Sequence, residues 1–409
     1  MGFDLSYMGT KRQFAPAVID VVCSAQEGIV LDAFSGMCTV GASIGHRRQV
    51  WNNDVLLFPS IVAGALFTSQ HLAPTVINAA DLLFNDFTIN LEALKRRFKE
   101  HLHDERECLE SESIRRLTNY LRKFAGEYSS AARLKEIRKL ANKRKSLPYR
   151  LFTITYSDSY FGLEQSLEID SIVYAVDRNF ERGTISEDER SWLLIALGSA
   201  MLRVANTTGH FAQYLEPKTR NLIRYLKQRR KRVWAQYLQS LSDLSPVGTF
   251  SWRRRNRVFN RDCLELLPSL RRTTQRPSVV YADPPYTDDQ YSRYYHVLDT
   301  LIRYDYPQVS GKGRYPAGRF QTPFSQKTKV KSAFDSLIGH AASLPADLVL
   351  SYPDNGLLYE IGETPDGLLR KHYNKVEISR EIRHEHSTFG ASKGTVRAPV
   401  TEIVYWARP

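Results

Sequence analysis

The chain has 409 residues, of which 42% are hydrophobic, so it is long enough to bury one large core or two to three smaller ones. It carries 57 Lys and Arg against 44 Asp and Glu, and the formal charge of +13 favours a polyanionic partner. The four cysteines lack metal-ligand spacing and no apolar run is long enough to span a membrane, which predicts a metal-free, cytoplasmic protein.

The N-terminal third begins with two glycine turns. Gly9 and Lys11 precede an apolar helix pattern, and such a turn can hold an anion at the helix N-terminus. Residues 28–41 then predict a strand, a glycine loop and a helix, in which Gly36 lets a ligand approach the backbone. This loop differs from the dinucleotide fingerprint. It indicates either a cradle for a nucleoside with an amino acid tail or an ordinary βα turn.

A second short strand, residues 50–54, ends in the acid Asp54. An acid at this distance after the glycine loop is positioned to accept hydrogen bonds from ribose hydroxyls. The sequence therefore predicts that Asp54 belongs to the same ligand site as Gly36.

Residues 91–257 predict a mainly helical region, since apolar residues such as Leu91, Leu94 and Phe98 recur at helical spacing. The small polar stretch 206–211 predicts a loop between two helices, and loops of this type often contact substrate.

The densest positive charge lies between residues 218 and 261, where Tyr and Trp are interleaved with Lys and Arg. Each cation that meets a phosphate releases counterions, so the cluster favours nucleic acid. A solvated helix face is the alternative for any single residue of the cluster.

The next strand signals end in acids. One strand pattern begins at Val258 and is followed by Asp262. The carboxylate of Asp262 can accept a hydrogen bond from the adenine amine of a cofactor. The buried run 278–281 leads to Asp283, followed by Pro284, Pro285 and Tyr286. The prolines stiffen the chain, so a carboxylate and a backbone carbonyl can accept from an exocyclic amine while the ring stacks on its base. A strand that simply ends in a Pro-Pro turn is the structural alternative.

The remaining third contains two further strand patterns, at residues 346–352 and 401–406. The segment near residues 305–330 is rich in Gly, Pro, Arg and Lys, and this composition predicts an exposed, mobile loop.

The ordered set of these motifs resembles the Dam-like, alpha-class (D12) DNA N6-adenine methyltransferases. The family's glycine loop reads Phe-x-Gly-x-Gly, and here Cys38 stands where the second glycine would be. In chain order the set comprises Tyr7–Lys11, Asp32–Gly36, Asp54, Asn206–Gly209, Asp262, Asp283–Tyr286, the stretch to His296, and Ser351 with Tyr352.

The resemblance implies a Rossmann-like, doubly wound α/β methyltransferase fold. Residues 1–90 and 258–409 would form the catalytic domain. Residues 91–257 would be an inserted, mainly helical DNA-recognition region.

The resemblance also implies a reaction: transfer of the methyl group of S-adenosylmethionine to N6 of a flipped-out adenine in double-stranded DNA, without a metal. A cognate restriction endonuclease would be a possible partner. Cofactor residues would be Tyr7, Gly9, Lys11, Asp32, Phe34, Gly36, Asp54, Asp262, Cys263 and Asp283; the target base would be held by Asp283, Pro284, Pro285 and Tyr286; DNA contacts would come from Asn206, Thr208, His210, Arg229, Arg230, Arg232, Arg254 and Tyr291.

Three alternatives share this sequence pattern. The same fold could act on cytosine N4 or on adenine in RNA, or the chain could be a catalytically inactive DNA-binding relative. The family's cytosine members more often carry Ser at the position of Asp283, which disfavours the first. The presence of Asp54, Asp262 and Tyr286 together with Asp283 disfavours the last.

Overall fold

The structure is a computed structural model that describes residues 14–127, 130–143, 146–387 and 397–409. Its centre is a seven-stranded sheet, and a separate two-stranded hairpin lies beside it. The strands are β1 (Val30–Asp32), β2 (Val50–Asn53), β3 (Arg257–Phe259), β4 (Val279–Ala282), β5 (Val309–Ser310), β6 (Tyr315–Pro316), β7 (Asp347–Pro353), β8 (Lys375–Ser387) and β9 (Arg397–Arg408).

The sheet has the order β3-β2-β1-β4-β7-β9-β8. The first five strands in this order are parallel, whereas β9 pairs antiparallel with β7 and β8 pairs antiparallel with β9. The chain runs outward from β1 to β2 and β3 and then returns to β4, so the order reverses between β1 and β4. The predicted doubly wound α/β fold is confirmed, and this reversal is where such sheets bind ligands.

The central strands β1 and β4 carry apolar residues on both faces, as expected for parallel strands that are covered on both sides. Val30 and Val279 pack into the core on one face of the sheet, and their neighbours Leu31 and Val280 pack into the core on the other. Successive side chains point to opposite faces, so each short strand contributes to both cores.

Helices cover both faces of the sheet. None in the described ranges is long and apolar enough to cross a bilayer. They are α1 (Ala15–Ser24), α2 (Thr39–Ile44), α3 (Leu57–Phe67), α4 (Val76–Arg97), α5 (Lys99–Glu110), α6 (Ile114–Glu127), α7 (Ser130–Ala141), α8 (Leu151–Tyr156), α9 (Leu163–Glu181), α10 (Glu187–Val204), α11 (Leu222–Arg229), α12 (Val233–Ser242), α13 (Phe250–Arg253), α14 (Cys263–Leu270), α15 (Ser292–Arg303), α16 (Val330–Ala342), α17 (Leu357–Glu360) and α18 (Pro365–Leu369).

Helices α3 to α13 lie between β2 and β3 in the chain. Residues of α4, α9 and α10 share one hydrophobic core with Val30 and Val279 of the sheet. Helix α3 packs on β2 and β3, and α10 packs on α3, so the helical region is joined to the sheet through α3. Residue 90, the predicted domain boundary, falls inside α4.

Buried carboxylates hold several of these helices at their N-termini. Glu168 accepts from the backbone N–H groups of Val233 at 2.6 Å and Trp234 at 3.1 Å, at the start of α12. Asp170 accepts from Phe152 and Thr153, at 2.9 and 2.8 Å, at the start of α8. These bonds satisfy N–H groups that a helix leaves without partners.

The prediction of an exposed segment at residues 305–330 is wrong at residues 322–325. Thr322, Phe324 and Ser325 are buried. The Gln290 side chain donates to Thr322 O at 3.1 Å and accepts from Thr322 N at 2.7 Å. Paired backbone and side-chain hydrogen bonds thus dock this segment beside the N-terminus of α15.

Candidate active site

A cleft of about 1040 Å³, including its mouth, opens at the carboxyl ends of β1, β2 and β4. It lies at the reversal between β1 and β4, so the topology places the ends of separate chain segments around one space. Its walls come from residues 32–40, 53–56, 261–263, 281–292 and 320–324, and include Asp32, Phe34, Gly36, Asp54, Asp262, Cys263, Asp283, Pro285, Tyr286 and Tyr291.

Asp54 links the glycine loop to the end of β2. Its Oδ2 accepts from Gly36 N at 2.9 Å, and its Oδ1 accepts from Leu56 N at 2.8 Å. Burial raises the pKa of Asp54 to about 6, although these two hydrogen bonds oppose the increase. Each carboxylate oxygen has a further lone pair, so the group can still accept from a ligand hydroxyl.

Two left-handed residues shape the glycine loop. Gly36 has a φ of 47°, which glycine adopts without steric cost. Cys38 has a φ of 61° and a ψ of 26°. The position where the family carries its second glycine therefore keeps a backbone conformation suited to glycine, although the residue there has a side chain.

Asn53 was not singled out by the sequence, and it connects three strand ends. Its Nδ2 donates to Ala33 O and to Arg261 O, both at 3.0 Å, and its Oδ1 accepts from Arg261 N at 3.2 Å. This one side chain fixes the ends of β1 and β2 against the loop that leads to Asp262.

Asp32 is the most buried acid of the cleft, with 1% of its surface exposed. Its Oδ1 has no hydrogen-bond partner among the described residues. Burial raises the pKa of Asp32 well above the usual aspartate value, and the charge of Asp283 raises it further. A buried acceptor without a partner is costly unless a ligand supplies the hydrogen.

Asp262 caps α14, accepting from Leu264 N at 3.0 Å. It is partly exposed on the cleft wall, and the adjacent Cys263 is buried. Burial raises the pKa of the Cys263 thiol well above its usual value, so the thiol stays neutral.

The segment Asp283–Tyr286 follows β4, on the other side of the reversal between β1 and β4. Asp283 and Tyr286 are half-buried on the cleft wall, and Pro284 is buried. Tyr286 O accepts from Leu357 N at 2.8 Å, which anchors the motif to α17. The Tyr291 side chain hydrogen-bonds to that of Tyr286, and both residues line the cleft.

The 206–211 loop is divided between interior and surface. Thr208 is exposed and His210 is half-buried, and the two side chains lie 3.3 Å apart. His210 Nδ1 accepts from Ala212 N at 3.2 Å, and burial lowers the pKa of this imidazole. Asn206 is only 2% exposed, so the predicted DNA contact by Asn206 is wrong for this conformation.

The structure also corrects the predicted phosphate contact at Arg229, which is only 6% exposed. Its Nη2 donates to Ser159 O at 2.9 Å and to the Tyr225 hydroxyl at 2.6 Å. The guanidinium also acts on buried Glu105, whose pKa it lowers against the larger effect of burial. A charge committed to these interior partners is not available to DNA.

The neighbouring arginines are on the surface, but two of them have acidic partners. Arg230 pairs with Glu112 at 2.7 Å, and Arg232 pairs with Glu164 at 2.9 Å and with buried Glu168. Arg254 is exposed and lies over the ring of Phe250. Of this group, only Arg254 presents a charge without an ion pair in the described part of the chain.

Three predicted cofactor residues, Tyr7, Gly9 and Lys11, lie outside the described residues. Among the residues that are described, no group of three or more His, Cys, Asp or Glu side chains could hold a metal ion.

Comparisons with known proteins point to the same family as the motifs. Residues 254–342 match the family model described as D12 class N6 adenine-specific DNA methyltransferase. This match includes Asp262, the Asp283–Tyr286 motif and α15. The predicted family resemblance is confirmed.

Curated relatives match over much of the chain. It is 28% identical over 262 residues to Modification methylase LlaI of Lactococcus lactis subsp. lactis, which covers 64% of this chain and 39% of that protein. The chain is 28% identical over 346 residues to Type II methyltransferase M.FokI of Planomicrobium okeanokoites. This alignment covers 84% of this chain and 43% of that protein. The chain is 21% identical over 362 residues to Modification methylase StsI of Streptococcus sanguinis. This alignment covers 87% of this chain and 45% of that protein. The chain spans less than half the length of each of these three relatives.

Proposed function

From its match to the D12 class N6 adenine-specific DNA methyltransferases, we propose that this chain transfers the methyl group of S-adenosylmethionine to N6 of an adenine in double-stranded DNA. The observation that carries the proposal is that Asp283 and Tyr286 line the same cleft as Gly36, Asp54 and Asp262. One cleft thus offers acceptors for a nucleoside cofactor and, across the β1–β4 switch point, a carboxylate and a ring for the target base.

The cleft has carboxylate acceptors that suit the hydroxyl and amine groups of a nucleoside. Asp54 would accept from the ribose hydroxyls and Asp262 from the adenine amine. The Asp32 oxygen that has no partner among the described residues would accept from a cofactor N–H group. Phe34 would pack against the cofactor. The bound cofactor would supply an electrophilic methyl group.

Asp283 and the carbonyl of Pro284 would act on the target amine. The lone pair of that amine is delocalised into the base, so the amine is a weak nucleophile. Two fixed acceptors would draw its hydrogens out of the ring plane and return electron density to the nitrogen. The acceptors must be held in place before the reaction, and Pro284 with Pro285 provides this rigidity.

Tyr286 would stack on the target adenine. A base inside a duplex cannot reach a cleft at the end of a sheet, so the adenine must be extruded from the helix. The Tyr291 hydroxyl that hydrogen-bonds to Tyr286 would keep the ring in position.

The names of the relatives support a role in DNA modification. Two are modification methylases and another is a type II methyltransferase. We infer that this chain protects DNA at specific sites and that a cognate restriction endonuclease is its partner.

The test is incubation with S-adenosylmethionine labelled in the methyl group, with duplex DNA and RNA in separate reactions. The modified nucleoside is identified after digestion. Label in N6-methyladenine from DNA supports the proposal. Label in N4-methylcytosine, label in RNA alone, or no transfer by folded protein contradicts it and corresponds to the three alternatives.

A further inference from the structure

Two arginines that the proposed chemistry leaves unused are sequence neighbours of cleft-lining residues, since Arg293 follows Ser292 and Arg319 precedes Phe320. Arg293 and Arg319 both lie against the ring of Tyr315, with guanidinium carbons 5.7 and 5.1 Å from its centroid. Asp289 pairs with Arg293 and also accepts from the Tyr294 hydroxyl at 2.7 Å. One of the two like charges on this ring is thereby neutralised.

Arg319 keeps its charge. Its Nη1 donates to Ser292 Oγ at 2.6 Å, and no carboxylate of the described residues forms an ion pair with it. Partial burial and the nearby charge of Arg293 lower the pKa of Arg319, as expected for a cation without a compensating anion. A guanidinium has five N–H donors, so most of its hydrogen-bonding capacity is open to a ligand.

The position of Arg319 is fixed by the cleft wall. Ser292, its hydrogen-bond partner, lines the cleft and in turn donates to Phe320 O at 2.6 Å. Ser292 is also the first residue of α15, a 12-residue helix without an acid in its first turn or a side-chain cap. The positive end of the helix dipole therefore adds to the charge of Arg319 at this point.

We propose that Arg319, held beside the N-terminus of α15 by its hydrogen bond to Ser292, binds a backbone phosphate of the DNA strand that carries the extruded adenine. This proposal rests on the proposed function. A base stacked on Tyr286 leaves its sugar and phosphate at the cleft mouth, and Arg319 provides the only guanidinium hydrogen-bonded to a cleft-lining side chain in the described part of the chain. The contact positions the strand and does not read its sequence.

Salt dependence of DNA binding tests this site. Binding of a fluorescent duplex of about 30 base pairs is measured between about 50 and about 200 mM KCl for wild type, Arg319→Gln, Arg319→Lys and Arg272→Gln. Arg272 is the matched control, because it is exposed and follows the end of α14 remote from the cleft. The slope of log affinity against log salt should fall by about one in Arg319→Gln and stay unchanged in the other two variants.

Phosphate ethylation interference identifies the phosphate that Arg319 contacts. Mapping of methylated adenines first identifies a target site, and ethylated duplexes carrying that site are then bound. Ethylation of a phosphate beside the target adenine should weaken wild-type binding, and Arg319→Gln should lose sensitivity at that phosphate alone. An unchanged salt slope and interference pattern in Arg319→Gln would overturn the phosphate site while leaving the methyltransferase proposal in place. Wild-type protein that neither binds nor methylates DNA would overturn both.

Discussion

Asp283 is the residue on which the chemistry depends, because its carboxylate is the side-chain acceptor proposed for the target amine. Asp283→Ala and Asp283→Asn should lower methyl transfer roughly 10³-fold or more, each tenfold corresponding to about 1.4 kcal/mol. DNA affinity should change little, since the phosphate contacts remain. Single-turnover transfer and DNA binding are measured on the same preparations. Near-normal turnover in either variant would remove Asp283 from the mechanism.

Tyr286 is expected to act through its ring. Tyr286→Phe keeps the π-face and loses only the hydroxyl that hydrogen-bonds to Tyr291, so it should retain much of the activity. Tyr286→Ala loses a stacking interaction of roughly 1–3 kcal/mol. Methylation rates are compared at equal concentrations of folded protein, checked by thermal unfolding. Equal rates for the alanine variant and wild type would exclude a stacking role.

Asp54 is expected to make cofactor binding depend on pH. Its pKa of about 6 means that the carboxylate is ionised at neutral pH and becomes protonated as the pH falls towards 5. A protonated carboxyl is a weaker acceptor for ribose hydroxyls, so affinity for S-adenosylmethionine should fall by up to about tenfold between pH 7 and pH 5. Calorimetry on wild type and Asp54→Asn measures this effect. The variant should bind more weakly at pH 7 and lack this part of the decrease; an identical pH profile in both would contradict the assignment.

The glycine loop contains one residue, Cys38, with a strained backbone conformation. Cys38 adopts a left-handed conformation that costs a residue with a Cβ about 1–2 kcal/mol. Cys38→Gly and Cys38→Ala both remove the buried sulfur, but only glycine relieves the backbone. We expect the glycine variant to be more stable than the alanine variant by about 1 kcal/mol in denaturant unfolding. An alanine variant that is equally or more stable would show that the loop relaxes.

The strand-end acids could be predicted from sequence, because local patterns determine them. Asp32 ends a short apolar run, Asp283 directly follows another, and Asp54 directly follows the strand Val50–Asn53. Parallel strands bring these carboxyl ends to one edge of the sheet. The roles of Arg229 and Asn206 could not be predicted in this way. Their surroundings come from distant segments, and charge or polarity alone does not reveal burial. Asn53 and Arg319 were missed because their partners also come from elsewhere in the chain.

The helical region and one face of the sheet share a hydrophobic core. The sequence predicted a mainly helical region from apolar spacing, but spacing does not show that α9 and α10 belong to the same hydrophobic core as one face of the sheet. The formal charge of +13 favours DNA as a partner, yet several of the arginines that produce it are neutralised locally. Overall charge is thus a better guide to the class of partner than to the residues that contact it.

The proposed function requires that one cleft receives both the cofactor and an extruded adenine. Photocrosslinking tests it most directly, with a duplex in which 5-iodouracil replaces the target adenine at a mapped site. After irradiation in the presence of a cofactor analogue, the crosslinked peptide is identified by mass spectrometry. We expect a crosslink at Tyr286 that is lost in Tyr286→Ala. A crosslink at a residue outside the cleft would contradict it.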